Sequence, residues 1–291
     1  MNSRLVRLTL AAGGAIATVG AYAVLIEPRW LKRTHTRLHY QMLPPALEGL
    51  RIALLTDMHA GRRTPARLLA RMVRMTMDAQ PHLIAVTGDL VTGDAGNATA
   101  LPPVLDCLAE LHAPYGVYVV PGNHDHRMGI DRWHAAVARH PVLTDLTNRA
   151  HMIDVKPDGD SGDVARLCVA GVDDLTEGEP VLDMLPQATQ RDFTILLAHQ
   201  PDQAEHVRRT ADDVDLVLSG HTHGGQVRLP GVGAIMNSAQ RDDLYEAGVR
   251  RRPWTQVYTS RGIGTVHLPV RFMTRPEIAI LELTGAPRPR R

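Results

Sequence analysis

Cysteine is almost missing from this 291-residue chain, with Cys107 and Cys168 the whole complement. Two cysteines exclude a disulfide framework, and neither stands at metal-ligand spacing. Cys107 falls in an amphipathic helical stretch and Cys168 in a strand-like run, where each reads as a small apolar side chain. Lysine is nearly absent too, occurring as Lys32 and Lys156, a bias read as genome composition and not as function. No net charge of either sign accumulates: 32 Lys+Arg face 31 Asp+Glu, so no global field draws in nucleic acid or acidic partners. Aromatic residues make up 4% of the chain, and no basic stretch interleaved with aromatics is present to track a nucleic-acid backbone. Internal repeats and low-complexity blocks are likewise missing. What remains is an ordinary globular composition, 44% hydrophobic and 22% charged, in a chain ample for a buried core.

One long uncharged run stands at the N-terminus. Leu8–Ile26 lies between Arg4 and Arg7 on one side and Glu27-Pro28-Arg29-Trp30 on the other, and its length just spans a hydrocarbon core of roughly 30 Å. Continuation of the run through Val24-Leu25-Ile26 favours an uncleaved, single-pass anchor in a cell membrane. Ala21-Tyr22-Ala23 has the small-x-small form of a signal-peptide cleavage site, which is the competing reading. Orientation stays open. Arg29, Lys32, Arg33 and Arg37 outnumber Arg4 and Arg7, a count that puts the following domain in the cytoplasm, whereas a simple signal anchor puts it outside.

Beyond the anchor (residues 1–30), residues 31–49 read as a linker that includes a possible edge strand at His35–Tyr40. Regular structure is expected over 50–284, and 285–291 as a basic, disordered tail. Strand-like runs at Arg51–Thr56, Leu83–Thr87 and Val117–Pro121 alternate with helical stretches at Pro65–Gln80 and Leu101–Leu111, an order that argues for parallel neighbours with right-handed crossovers. A helix is expected at Asp131–His140, followed by short strands near Val142–Leu146, Ala150–Val155 and Val164–Gly171. The turn-rich Pro157–Gly162 joins the last two as a hairpin. Strand, helix and strand return at Thr194–Ala198, Gln203–Arg209 and Leu216–Ser219, and the tail adds strands near Trp254–Thr259 and Glu277–Leu283. The expected architecture is α/β, a sandwich of two mixed sheets flanked by helices.

Five of these strands are followed at once by residues that ligate metals: Asp57-Met58-His59, Gly88-Asp89, Gly122-Asn123-His124-Asp125, His199, and Gly220-His221-Thr222-His223. Ligands of open α/β sheets collect outside the carboxyl ends of strands, so the five blocks should converge. Asp57 and His59, two apart in extended chain, share a face, as do His221 and His223. Mixed imidazole, carboxylate and amide donors suit Mn²⁺, Fe or Zn²⁺, and an all-oxygen Mg²⁺ or Ca²⁺ site would not need the histidines. Seven candidate ligands exceed what one catalytic ion with an open position uses. Two ions about 3.5–4 Å apart, sharing Asp89, account for the number.

In this order the blocks D-x-H, G-D, G-N-H-D, H and G-H-x-H resemble the calcineurin-like metallophosphoesterase family, over Leu50 to about Leu283. Ala198-His199-Gln200-Pro201, His223-Gly224-Gly225-Gln226 and the ending Leu268-Pro269-Val270-Arg271-Phe272 with Pro276-Glu277-Ile278 are similar to one bacterial branch of membrane-anchored or exported phosphoesterases. The resemblance implies an α/β-β-α sandwich with a dinuclear site between its sheets. Asp57, His59, Asp89 and His223 would hold one ion, and Asp89, Asn123, His199 and His221 the other. Some relatives in that branch are assigned to hydrolysis of UDP-2,3-diacylglucosamine.

The chemistry expected is hydrolysis of a phosphodiester or pyrophosphate by a hydroxide bridging the two ions, with His124 protonating the leaving group or binding a phosphoryl oxygen. Asp125 is expected to orient His124 and hold its pKa high, or else to cap a helix. His126 reads as a solvated loop residue, Asp173-Asp174 as turn and cap chemistry or a border of the site, and Arg271 as a phosphate contact or a surface ion pair. Met128, Ile130, Trp133 and Val137 read as core packing or as an apolar wall for acyl chains. An anchored enzyme suits a lipid-linked or nucleotide-sugar substrate. A general phosphodiesterase or nuclease is the alternative enzyme, and a non-catalytic metal-binding scaffold the alternative outside enzymes.

Overall fold

A computed structural model describes residues 3–61, 64–93, 99–156, 163–186, 192–210, 214–235 and 242–285. The expected hairpin turn at Pro157–Gly162 and nearly all of the basic tail lie outside the described residues. The apolar runs form strands within a residue or two of expectation: β2 (Arg51–Leu55), β3 (Leu83–Thr87), β4 (Val117–Val120), β5 (Leu143–Asp145), β6 (Arg149–Val155), β7 (Ala165–Gly171), β8 (Phe193–Leu197) and β9 (Leu216–Ser219). β3, β4, β8 and β9 are buried at every position, as strands must be when both faces of a sheet are covered.

Two six-stranded sheets result. The first runs β1-β14-β2-β3-β4-β5, with β1 (Lys32–Tyr40) and β14 (Glu277–Gly285) parallel to each other and β14 antiparallel to β2. The second runs β12-β13-β9-β8-β7-β6, where β12 (Gly248–Arg252) and β13 (Thr255–Thr259) form an antiparallel pair, as do β6 and β7. Between β2 and β5, and from β13 through β7, all pairings are parallel, so strand carboxyl ends gather on one side of each sheet. A short hairpin, β10 (Arg228–Leu229) with β11 (Gly233–Ala234), stands apart from both.

Three apolar layers hold this together. Ile52, Leu54, Tyr118, Leu167, Ile195, Leu218 and Leu281 pack between the sheets. Helices α2 (Ala66–Met77), α3 (Leu101–Leu108) and α4 (Asn123–Val137) cover the outer face of the first sheet through Leu69, Met72, Val104, Leu105 and Trp133. On the outer face of the second sheet, Ala204 and Val207 of α5 (Gln203–Thr210) and Tyr245 of α6 (Asp242–Tyr245) pack on Leu196, Val217 and Val257. Cys107 packs against the first of these outer layers and Cys168 lies within the second, neither in a disulfide.

Two expectations are corrected and one pair of alternatives is decided. Residues 31–49 are not a linker, because β1 pairs with β14 over its full length and Leu38 and Leu47 are buried in the inter-sheet core. α4 starts eight residues before the expected helix and includes the third ligand block, with a break at Gly129 (φ 121°) where left-handed backbone is free of side-chain cost. Met128, Trp133 and Val137 are core residues of the first sheet, which removes the acyl-chain wall.

The N-terminal helix α1 (Ser3–Ala21) runs through a π turn at Tyr22–Ile26 into a 3-10 turn at Glu27–Arg29. Within it, Leu10–Arg29 is a 20-residue span long and apolar enough to cross a membrane by length and composition. The helix is not detached from the domain. Ala23 accepts a hydrogen bond from the Arg271 amide at 3.0 Å, and the Glu27 carboxylate, 1% exposed, accepts one from Thr274 N at 2.6 Å.

Candidate metal centre

All seven predicted ligands stand just past the carboxyl ends of parallel strands. Asp57 and His59 follow β2, Asp89 follows β3, and Asn123 opens α4 three residues after β4 ends. His199 follows β8, and His221 and His223 follow β9. Backbone bonds tie these ends to one another: Asp57 N donates to Gly88 O at 3.0 Å, His59 N to Asp89 O at 3.0 Å, and Gly220 N to His199 O at 3.0 Å.

The side chains converge as well. Nε2 of His59 lies 3.1 Å from Nε2 of His223, and the latter is 3.4 Å from Asp57 Oδ1. Asp89 Oδ2 is 3.5 Å from His59 Nε2 and 3.3 Å from His199 Nε2, and His221 Nδ1 lies 3.1 Å from His199 Nε2. One donor atom each from Asp57, His59 and His223 falls within 4.8 Å of the others, and the same holds for Asp57, Asp89 and His199, and for His59, Asp89 and His124. Two ring nitrogens at hydrogen-bond distance cannot both present lone pairs without a proton or cation between them, so each pair either shares a proton or can close around a common ion. Asn123 Oδ1 adds an independent sign: it is buried and has no hydrogen-bond partner. Such an atom costs about 1–3 kcal/mol unless something accepts its lone pair, and a divalent cation does. The residues therefore fit a pair of divalent ions.

Backbone geometry shows that the surroundings, not local preference, decide the conformation here. Asp57 (φ 51°), His59 (42°), Asp89 (54°), His221 (70°) and His223 (52°) all adopt left-handed conformations, each costing about 1 kcal/mol or more for a residue with a side chain. Such residues persist only where the surroundings over-determine them. The glycines in the blocks leave the necessary room: a Cβ on Gly122 would meet Asp89 Oδ1 and come within 2.9 Å of His199 Cε1, and one on Gly220 would strike Asp57 Oδ2.

Charges sort by position. Burial pushes Asp57 up to about 6, with His199 pulling it down and Asp89 adding to the rise. Burial acts to raise Asp89 too, but the charge and hydrogen bond of His199, with His59 and His124, hold that carboxyl well below its usual range. His59 is lowered to about 3 by burial against the opposing pull of Asp89, and burial with neighbouring His59 and Arg271 holds His223 well below its ordinary value. Both rings are thus neutral, as ligands must be. His199 is the exception: burial opposes its charge, yet Asp89 raises it well above the ordinary value. Its Nδ1 lies 2.7 Å from Thr87 O and donates to it, so Nε2 faces Asp89. An ion binding at Nε2 displaces a proton.

His124 stands at the rim, partly exposed. Its amide donates to Asp89 Oδ1 at 2.9 Å, and its Nδ1 accepts from Gly93 N at 2.9 Å, so the neutral ring carries its proton on Nε2. Burial lowers its pKa, with Asp89 opposing and Arg127 adding. The expected orienting role of Asp125 is not what the structure shows. Its carboxylate accepts from Asp89 N (2.8 Å), Leu90 N (3.1 Å) and Gly122 N (3.0 Å), clamping the Asp89 loop onto the start of α4. Burial, with the charge of Asp89, pushes Asp125 up to about 7 while the Gly122 amide pulls it down.

Of the secondary candidates, His126 and Arg271 resolve differently from expectation, while Asp174 makes the turn and cap expected of it. His126 is not solvated: its Nε2 pairs with Asp173 Oδ1 at 2.6 Å. Asp174 caps the following turn through Thr176 N and holds Gln200 Nε2 at 2.6 Å. Arg271 is neither a phosphate contact nor a surface ion pair. It is fully buried, donates to the carbonyls of Gly264, Thr274 and Arg261, and places Nη2 3.3 Å from His223 Nδ1. Burial drops its pKa to about 10, with Asp57 opposing. Glu27, Thr87 and Gly93 escaped the sequence reading because they act through a single carboxylate or through backbone atoms, which leave no motif.

Residues 50–225 match the sequence profile of the calcineurin-like phosphoesterase family. Over 276 residues the chain is 30% identical to the metallophosphoesterase YkuE of Bacillus subtilis, covering 94% of this chain and 93% of that one. It is 30% identical over 283 residues to the phosphodiesterase YaeI of Escherichia coli, covering 95% and 98% respectively. A transmembrane protein with a metallophosphoesterase domain from Danio rerio is 28% identical over 279 residues, which span 93% of this chain and 61% of that longer one.

Proposed function

The chain belongs to the calcineurin-like phosphoesterase family and is a metal-dependent phosphoester hydrolase, and from that premise we propose its ligand set, its proton donor and its substrate class. Asp57, His59, Asp89 and His223 hold one divalent ion, and Asp89, Asn123, His199 and His221 the other. The observation that carries this reading is the single carboxylate oxygen of Asp89 lying 3.5 Å from His59 Nε2 and 3.3 Å from His199 Nε2, one imidazole from each half of the site. When bound, the pair of ions supplies a water activated at neutral pH and positive charge for the phosphoryl oxygens. Imidazole-rich donors favour Mn²⁺, Fe or Zn²⁺.

The chain's own groups do the rest. The His124 Nε2–H donates to the phosphoryl or leaving oxygen, with Gly93 N fixing the ring from behind. Asp125 keeps the Asp89 backbone in its left-handed turn by accepting the amides on both sides of the loop. The preferred substrate is a phosphodiester or pyrophosphate carried by a lipid or nucleotide sugar, in the manner of UDP-2,3-diacylglucosamine. Support for that class is the 20-residue apolar span docked on the catalytic domain, which we read as a membrane anchor.

The test is hydrolysis of bis-p-nitrophenyl phosphate by the full chain in detergent, first stripped of metal and then with Mn²⁺, Fe²⁺, Zn²⁺ or Mg²⁺, beside His124→Gln. Metal-dependent turnover lost in His124→Gln, with metal content retained, is expected. Turnover unaffected by that change removes the proton-donor role, and a fully loaded protein inert toward diesters and lipid pyrophosphates alike sinks the substrate class.

A further inference from the structure

Two loops flank the ligand His223, and both present apolar side chains to the outside. One is the β10–β11 hairpin, which begins five residues after His223 and exposes Leu229, Val232 and Ile235 at 42%, 73% and 56%. The other is the segment around Arg271, which exposes Leu268 and Met273 at 56% and 55%. The two are joined: Arg228 N donates to Phe272 O at 2.9 Å, Phe272 N to Gln226 O at 3.1 Å, and Thr274 Oγ1 to Gln226 O. Trp30, 47% exposed, completes the patch, with the Arg275 guanidinium 3.9 Å from its ring centre. Among the described residues, ten large apolar side chains outside residues 3–29 are exposed, and these six are the majority. An apolar surface gathered this way, unlike scattered apolar residues, marks a binding face.

The end of the apolar helix identifies what covers it. Ala23 O accepts from Arg271 N, Glu27 accepts from Thr274 N, and Arg275 Nε donates to Trp30 O at 3.1 Å. The last turns of the helix are thus hydrogen-bonded into the same loop that carries Leu268 and Met273. A helix that crosses a bilayer leaves it at its end, so loops fixed to that end sit at the lipid surface. An exposed Trp stacked under an Arg is the side-chain pair expected at that depth, with an apolar body and a cationic tip.

We propose that the β10–β11 hairpin and the 268–273 loop form an apron that dips into the bilayer surface beside the anchor and faces the metal centre toward lipid headgroups. The proposal rests on the anchor reading given above. One residue connects the two: Arg271 is bonded to the helix end through its amide and touches His223 through its guanidinium. The site therefore lies a single side chain from the membrane-proximal face, and a phosphoester in a headgroup reaches it without leaving the lipid. An apolar apron also explains why the hairpin exposes Val232 at its turn, where a soluble loop would place a polar residue.

The experiment uses the full chain in vesicles of phosphatidylethanolamine and phosphatidylglycerol doped with a doxyl-labelled lipid. In a Cys107→Ser background, bimane is attached at Val232→Cys, at Leu268→Cys, and at Met152→Cys on the far edge strand β6, itself 40% exposed. Co-flotation with vesicles reports the anchor, and bimane quenching reports the apron. The expected result is co-flotation of all three, with severalfold stronger quenching at 232 and 268 than at 152. Failure to co-float overturns the anchor reading and the apron with it. Co-flotation with equal quenching at all three sites overturns the apron alone, and so does protection of 232 by self-association without quenching, which would make the occupant a second copy of the chain.

Discussion

The two sheets meet at the metal centre with different chemistry. From the first, the ends of β2, β3 and β4 bring Asp57, Asp89 and Asn123, which are all the oxygen donors, together with one imidazole, His59. From the second, β8 and β9 bring His199, His221 and His223, and no oxygen. On the proposed ligand set, the first half would carry the charge that attracts cations, and the second would supply imidazoles that, once an ion is bound, set ligand number without adding charge. Asp89 joins the halves, and that is why its pKa is low while its partner His199 is raised. A site divided in this way depends on how the two sheets are held together, so it rests on the inter-sheet core.

Changes on the two sides should therefore differ in kind. Removing the joining carboxylate by Asp89→Ala should have the largest effect, a turnover loss of about 10³-fold or more, because several kcal/mol of charge stabilisation disappear with both ions. Metal content measured by mass spectrometry should collapse in parallel; retention of both ions would contradict the shared ligand. On the imidazole side, His221→Ala should leave one ion bound and cost less than Asp89→Ala, and equal losses would erase the distinction between the halves. His124→Ala belongs to neither ligand set and should lose about 10²-fold or more in turnover at unchanged metal content.

Arg271→Met comes next. It removes the contact to His223 Nδ1 and leaves the carbonyls of Gly264, Thr274 and Arg261 without their donor. Metal affinity should drop about 10–100-fold, as for other residues that hold a ligand in place. Arg271→Met with parental affinity in a metal titration would show that His223 needs no such support.

The smallest effect concerns His126 and Asp173, a pair outside both halves. The hydrogen bond to Asp173 raises His126 above its ordinary 6.5, and in the folded protein the Asp173 carboxyl is held below its ordinary 3.8, where burial opposes and His126 favours the charged form. A raised histidine stabilises fully below its unfolded pKa and loses that contribution as pH rises through the folded value. A depressed carboxylate stabilises above its unfolded pKa and loses its share as pH falls through the folded one. The pair is thus worth most between about pH 4 and 6.5. His126→Gln should lower Tm more at pH 6 than at pH 8.5, by a small amount; a gap that widens with pH would reverse the assignment.

Most of the architecture was legible because buried parallel strands are written as continuous apolar runs: Leu83–Thr87 and Leu216–Ser219 match to the residue. The convergence of the candidate ligands was legible because each block follows a strand end. The start of α4 was missed because Gly122-Asn123-His124-Asp125 reads as a loop, although Asp125 three residues after Gly122 is a helix-start signal. β12 was missed because Gly-Val-Arg-Arg-Arg has no apolar alternation, and as an edge strand it needs none. Arg271 was placed at the surface because a lone Arg almost never stands at 0% exposure. Three carbonyls within ten residues of Arg271 and the imidazole of the distant His223 make the exception, and backbone acceptors leave no mark in a sequence.

The order of the first sheet has a consequence for how the molecule is made. β14 lies between β1 and β2, and its Glu277 pairs with Lys32, which precedes it by 245 residues. At roughly 5–20 residues per second, the ribosome takes on the order of tens of seconds to cover that distance. Throughout that interval β1 and β2 have no common neighbour, and the Ile263 and Gly264 amides that hold Thr56 O and Asp57 O have not yet emerged. The apolar helix is synthesised before the strand that ties it to the catalytic domain, so the proposed metal site would be complete only after residues 263–264 have emerged.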